Sequence, residues 1–185
     1  SSCDWSSDVC SSDLTSVRRA NSVAFDVREK GRVLNDPATG KPMKDASGEP
    51  VRQPGWLKGV KAIGWYIDEY GIAQISMNIT DTNATTLHAA FEACCKSADQ
   101  RGMRVTGSEL VGLVPLKVML DAGKYFLHKQ VRSSGVSEAE IIKIAAKSMG
   151  LDELAPFDPA QKIIEYNIAA KNNAAAKQLV AKDLR

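Results

Sequence analysis

The residues best placed for chemistry lie on alternating positions. In residues 72–80, Gln74, Ser76, Asn78 and Thr80 interleave with Ala73, Ile75, Met77 and Ile79. In an extended strand this period of two sorts the amides and hydroxyls onto one face and the apolar groups onto the other. In residues 61–68, Ile63, Trp65 and Ile67 share one face, which leaves Gly64 and Tyr66 on the other. In residues 104–114, Thr106 and Ser108 fall together, and Glu109 is a carboxylate beside an apolar run. A carboxylate there is costly unless it is paired or functional. A sheet covered by helices on one side would leave Tyr66, Asn78, Thr106 and Ser108 on its free face. The free face is either solvated or lines a polar ligand cavity under a second layer, and the scarcity of Lys, Glu and Arg along these strands favours the cavity.

Other reactive types offer less. His88 falls in the first turn of a helix and reads as a structural histidine. His128 sits among Lys124, Lys129 and Arg132 on a surface. Cys94 belongs to an apolar helical stripe and Cys95 lies one step off it. Two histidines and two adjacent cysteines give no zinc spacing. Gly107 and Gly112 in GSELVG are not followed by the Lys-Ser/Thr of a phosphate-binding loop. No nucleophile–base arrangement emerges, so these residues alone define a polar-faced domain and no reaction.

The elements that must position these residues follow from periodicity and punctuation. A helix is expected over 16–30, stopped by Gly31, and residues 35–55, rich in Pro and Gly, read as a long loop or hairpin excursion. Strands over 61–68 and 72–80 flank a turn at Glu69, Tyr70 and Gly71. A helix over 85–100 buries Leu87, Phe91, Cys94 and Ala98, with Thr85 as N-cap and Gly102 as stop. A third strand begins at Arg104, Pro115 opens a helix to about Gln130, and Ser137 with Glu140 forms a capping box for a helix ending at Gly150. Residues 162–167 read as a short strand and 169–185 as a helical linker. The order implies an α/β (α+β) fold, a ferredoxin-like two-layer sandwich of a mainly antiparallel sheet with helices on one face.

The first fourteen residues, SSCDWSSDVCSSDL, repeat Ser-Ser every five positions and are read as neither helix nor strand. They resemble a translated sequencing adapter. Without them 171 of the 185 residues remain, and the net charge rises from +2 to +5 because three Asp and no basic residue are lost. The near-neutral +2 of the whole chain disfavours a dedicated nucleic-acid binder. The longest strongly apolar run, Leu110 to Leu116, is too short to span a membrane. Only Cys94 and Cys95 then remain, which suits a reduced, cytoplasmic protein.

Four stretches are distinctive: RRANSVAFDVREKGR (18–32), KAIGWYIDEYGIAQISMNITD (61–81), RVTGSELVGLVPLKVMLDAGKYF (104–126), and LDELAPFDP after Gly150 with Ile163 to Tyr166. Together, over about residues 15–168, they resemble the C-terminal subdomain of glutamate formimidoyltransferases, including the bifunctional enzymes with a cyclodeaminase domain. The resemblance implies transfer of a formimino group from N-formimino-L-glutamate to tetrahydrofolate, the co-substrate, in histidine degradation, with no metal. It also implies two α/β subdomains whose sheets face each other across the folate, and an enzyme that oligomerises. The family's catalytic histidine belongs to the N-terminal subdomain, and neither His88 nor His128 matches its motif. The expectation is therefore a half-unit, inactive alone, with no catalytic residue of its own. It would contribute Tyr66, Asn78, Thr106, Ser108 and Glu109 to the folate cavity, and residues 169–185 would lead toward a cyclodeaminase domain. The competing expectation is a non-catalytic small-molecule-binding or subunit-interface module. No nucleic-acid or membrane partner is expected.

Overall fold

The structure, a computed structural model, describes residues 3–10, 17–68 and 72–183. The elements run β1 (Cys3–Cys10), α1 (Val17–Val27), β2 (Arg32–Val33), β3 (Arg52–Gln53), β4 (Val60–Ile67), β5 (Ile72–Ile79), α2 (Leu87–Asp99), β6 (Arg104–Val111), α3 (Leu116–Lys129), α4 (Glu138–Ser148), α5 (Pro159–Lys162) and α6 (Ile164–Asp183). The main sheet has four antiparallel strands in the order β4-β5-β1-β6. A two-stranded sheet, β2-β3, roots the excursion expected over 35–55. The turn expected at residues 69–71 lies outside the described residues.

One side of the sheet is packed. Ala73, Ile75, Met77 and Ile79 of β5 are buried, as their alternation predicts, and they meet Val23 and Val27 of α1 and Leu87 and Cys94 of α2 in one core. The inward set of β4 is the reverse of the expectation. Val60 and Ala62 are buried, whereas Ile63 is 47% and Trp65 54% exposed. The cause is the close approach of α1. A Cβ on Gly64 would stand 2.4 Å from Asn21 N and 2.5 Å from the Ala20 carbonyl carbon. Only the small residues of β4 fit under the helix, so the large ones turn outward. Tyr66 shares the parity of Gly64 and packs half-buried against the core.

Residues 3–10 form a central strand, although their composition gave no reason to expect one. Their register places Cys3, Trp5, Ser7 and Val9 opposite Ile79, Met77, Ile75 and Ala73. Main-chain pairing to β5 and β6 on both sides makes the strand.

Beyond β6 the helices pack in pairs. Gly123 of α3 lies against α4, where a Cβ would approach Ile141 O to 2.2 Å. Ser137 caps α4, accepting from Glu140 N, whereas the N-cap of α2 is Thr86 rather than Thr85. Thr85 instead donates its hydroxyl to Lys58 O. The short strand expected over 162–167 reduces to one parallel bridge between Val114 and Ile163, and helix occupies the rest. Asp26, at the end of α1, is nearly buried. It accepts from Ser97 Oγ at 2.7 Å and pairs with Arg101 at 2.6 Å and with Arg32, which ties α1, α2 and β2 together.

Candidate functional site

The other side of the sheet is open. Lys61, Ile63 and Trp65 of β4, Gln74, Ser76 and Asn78 of β5, and Glu109 and Val111 of β6 carry their exposure there. The register fixes the rows. Lys61 stands opposite Asn78, and Asn78 and Val111 are both partners of Asp4 on β1. Ile63 stands opposite Ser76, and Ser76 and Glu109 are both partners of Ser6. A cavity of about 360 Å³ on this face is lined by Lys61, Ile63, Ser76, Asn78 and Val111.

The five residues singled out from the sequence do not converge. Asn78 lines the open cavity. Glu109 is exposed on the same face, but interstrand geometry sets it about 12 Å from Asn78. Thr106 is exposed and is the extra residue of a β-bulge, because Asp8 pairs with Gly107 and Val9 with Val105. It lines a separate depression with Gly107, Glu153 and Leu154. Past the bulge the parity of β6 is reset, and Ser108 turns inward. It is fully buried, its hydroxyl donating to Met149 O and its amide to Gly150 O at 3.0 Å. Tyr66 lies on the helix side. Thus Ser108 and Tyr66 do not share the face that carries Asn78.

Lys61, Ile63, Trp65 and Val111 are the residues of this face that sequence reading passed over. A signal existed: Lys61 has the parity of Ile63 and Trp65, and a lysine does not belong to a core set. Ile63 and Val111 flank the polar groups of the cavity, and Trp65 is exposed farther along β4, so this face carries more apolar surface than a fully solvated one.

Comparison with known proteins names the group. The model of the formiminotransferase domain matches residues 11–169. The chain belongs to the formiminotransferase domain family. The formimidoyltransferase-cyclodeaminase of Sus scrofa is 41% identical over 153 residues, covering 83% of this chain and 25% of that protein. That of Gallus gallus is 39% identical over 171 residues, covering 92% of this chain and 28% of the relative. The glutamate formimidoyltransferase of Streptococcus pyogenes serotype M1 is 37% identical over 84 residues, covering 42% of this chain and 28% of that protein. The chain spans about a quarter of the length of the curated relatives it matches.

The remaining reactive groups of this formiminotransferase-domain chain sit in the helix layer, behind the sheet. His88 stacks on Tyr125 at 4.3 Å and its Nε2 lies 3.0 Å from Thr86 Oγ1. Its Nδ1 is buried with no partner among the described residues. Burial pushes its pKa below the usual histidine value, and the charges of Asp121 and Glu92 oppose that shift. Cys94 is buried in the core, where desolvation pushes its thiol far up, and Cys95 is pushed to about 11 for the same reason. These thiols are poor nucleophiles. Among the described residues no cluster of three metal-ligating side chains occurs, and no helix is long and apolar enough to cross a membrane.

Proposed function

We propose that this chain is the C-terminal α/β half of a glutamate formimidoyltransferase unit, working on tetrahydrofolate and N-formimino-L-glutamate in histidine degradation. One observation carries the reading: a cavity of mixed lining on an unpacked sheet face, where Lys61, Ser76 and Asn78 sit between Ile63 and Val111, with Trp65 exposed farther along β4. Such a face is complete only when a second layer closes it, and a flat pterin suits the space between two sheets. The element order β-α-β-β-α-β over β1, α1, β4, β5, α2 and β6, with strand order β4-β5-β1-β6, supports a ferredoxin-like sandwich for this half. The second half supplies the catalytic histidine, and these residues alone do not turn over substrate.

In this reading N5 of tetrahydrofolate attacks the formimino carbon, and the tetrahedral intermediate expels the amine of glutamate. Asn78 offers amide donors and an acceptor to the ligand, and Glu109 a carboxylate at the far side of the face. Thr106, Ser108 and Tyr66 act on the cavity only through the backbone that they hold. Residues 1–14 are adapter-derived, a reading their five-residue repeat supports and an independent read of the gene tests, and residues 3–10 of that segment fill the β1 position between β5 and β6. Residues 169–185 lead toward a cyclodeaminase domain, the complete enzyme is a homo-oligomer, and its compartment is the reducing cytoplasm.

The test is complementation. The chain is assayed for formimino transfer alone and after co-expression with the N-terminal half of a glutamate formimidoyltransferase. Turnover only in the mixture is expected, with Asn78→Ala and Glu109→Ala lowering it. Turnover by the chain alone, or an active mixture insensitive to both substitutions, would overturn the assignment.

A further inference from the structure

The open-face cavity does not end at β4. A second cavity, of about 380 Å³, curls around the start of that edge strand and shares Lys61 and Ala62 with the first. Its other walls include Arg28, Glu29, Lys30, Gly59 and Thr80. Three of the lining side chains are cations. Glu29 is the carboxylate among them, and it is already engaged: its Oε2 accepts from Gly59 N at 2.8 Å, and its Oε1 lies 3.9 Å from Lys58 Nζ. Among the described residues Arg28, Lys30 and Lys61 have no ion pair.

These cations do not serve as helix caps. The last carbonyls of α1 are taken by backbone donors, Ala24 O by Arg28 N, Asp26 O by Trp56 N and Val27 O by Leu57 N. Arg28 is also held in place. Its Nε donates to Gly31 O at 2.9 Å, and its guanidinium lies 4.3 Å over the Phe25 ring. Burial, and then the charge of Arg52, push its pKa down. A half-buried arginine beside a second arginine raises the local positive potential, and the carboxylate of Asp81, whose Cβ lies against Gly59, already accepts from Asn83 N and Ala84 N. The nearest acidic position along the row of Lys61 is Asp4 on β1, two strands away and about 10 Å distant. Glu109, three strands away and two residues along, is about 16 Å distant.

We propose that the trough around the start of β4 is an oxyanion site, built by Arg28 and Lys30 and joined to the open face through Lys61. Its ligand is a small molecule bearing carboxylate or phosphate groups. The anion is either the charged end of a ligand lying on the sheet face, which rests on the functional reading above, or a free oxyanion, which does not.

The experiment titrates the full chain with glutarate, inorganic phosphate and p-aminobenzoyl-glutamate at constant ionic strength in chloride, following binding by calorimetry. Saturable binding is expected, and Lys61→Ala and Lys30→Ala each weaken it about fivefold, as loss of one partly solvated charge contact does. Lys147→Ala, on α4, leaves it unchanged. If p-aminobenzoyl-glutamate binds more tightly than glutarate and Asn78→Ala weakens only the former, the anion is the end of a face-bound ligand. If all three probes bind alike and Asn78→Ala has no effect, the site takes free oxyanions, and the trough stands while the open-face reading fails. No saturable binding, or binding that Lys61→Ala and Lys30→Ala leave intact, overturns the proposal.

Discussion

Glu165 of α6 accepts a hydrogen bond from Leu116 N, the first residue of α3, at 2.7 Å across 49 positions of sequence. The residue before it, Pro115, has no side chain that can cap. A distant carboxylate therefore completes the helix that proline opens, and its charge also suits the positive end of that helix. Lys162 reinforces the same junction, donating to Leu110 O at 2.8 Å. Glu165→Ala is expected to destabilise the chain by about 1 kcal/mol and Glu165→Gln by less, read from urea unfolding midpoints. Equal midpoints for all three proteins would show that the cap contributes nothing.

Gly64 is the point where α1 touches β4. Gly64→Ala is expected to cost about 1–3 kcal/mol, because the backbone of Ala20 and Asn21 must retreat. It should also disturb the exposed neighbours Ile63 and Trp65, so tryptophan fluorescence should shift with the loss of stability. A fully stable Gly64→Ala variant would mean that α1 does not lie this close.

Ser108, buried, and Asn78, on the open cavity, should respond differently to substitution. Ser108→Ala leaves the Met149 carbonyl without its side-chain donor and should cost about 1–3 kcal/mol in thermal or urea unfolding. Its effect on ligand affinity in the complete enzyme should be small. Asn78→Ala should do the reverse, weakening ligand by a larger factor than its loss of stability accounts for. Affinity lost in Ser108→Ala at unchanged stability would place Ser108 in the cavity after all.

His88 gives the chain a pH dependence. Its folded-state pKa lies below the ordinary 6.5, chiefly through burial. The unfolded state therefore binds the proton more readily, so the full contribution of His88 is present above 6.5 and declines as pH falls below it. Asp121 and Glu92 moderate the loss. The difference in unfolding free energy between wild type and His88→Phe, which keeps the ring against Tyr125, should shrink between pH 7 and pH 5. A pH-independent difference would show that His88 is not held neutral.

The sequence by itself determined much of this protein. Alternation along residues 72–79 settled which side of β5 is buried, because a strand exposes every second side chain whatever surrounds it. Ser137 and Pro115 marked the starts of α4 and α3 because capping and ring geometry are local. The family followed from long, unusual stretches around residues 61–81 and 104–126.

Tertiary structure decided what depends on neighbours. Which face of β4 turns inward was a contest between large apolar residues and small ones, and it was settled by α1 lying against Gly64. No local preference encodes that distance. The parity of Ser108 was reset by one extra residue at Thr106, opposite a strand far away in the chain. Residues 3–10 became a strand because two waiting edges satisfy their backbone groups, a benefit that composition does not register. The trough of Arg28, Lys30 and Lys61 needs the end of α1 and the start of β4 side by side, separated in sequence by the whole β2-β3 excursion. Local rules assign the elements, but long-range packing assigns their faces, and the candidate site is made of faces.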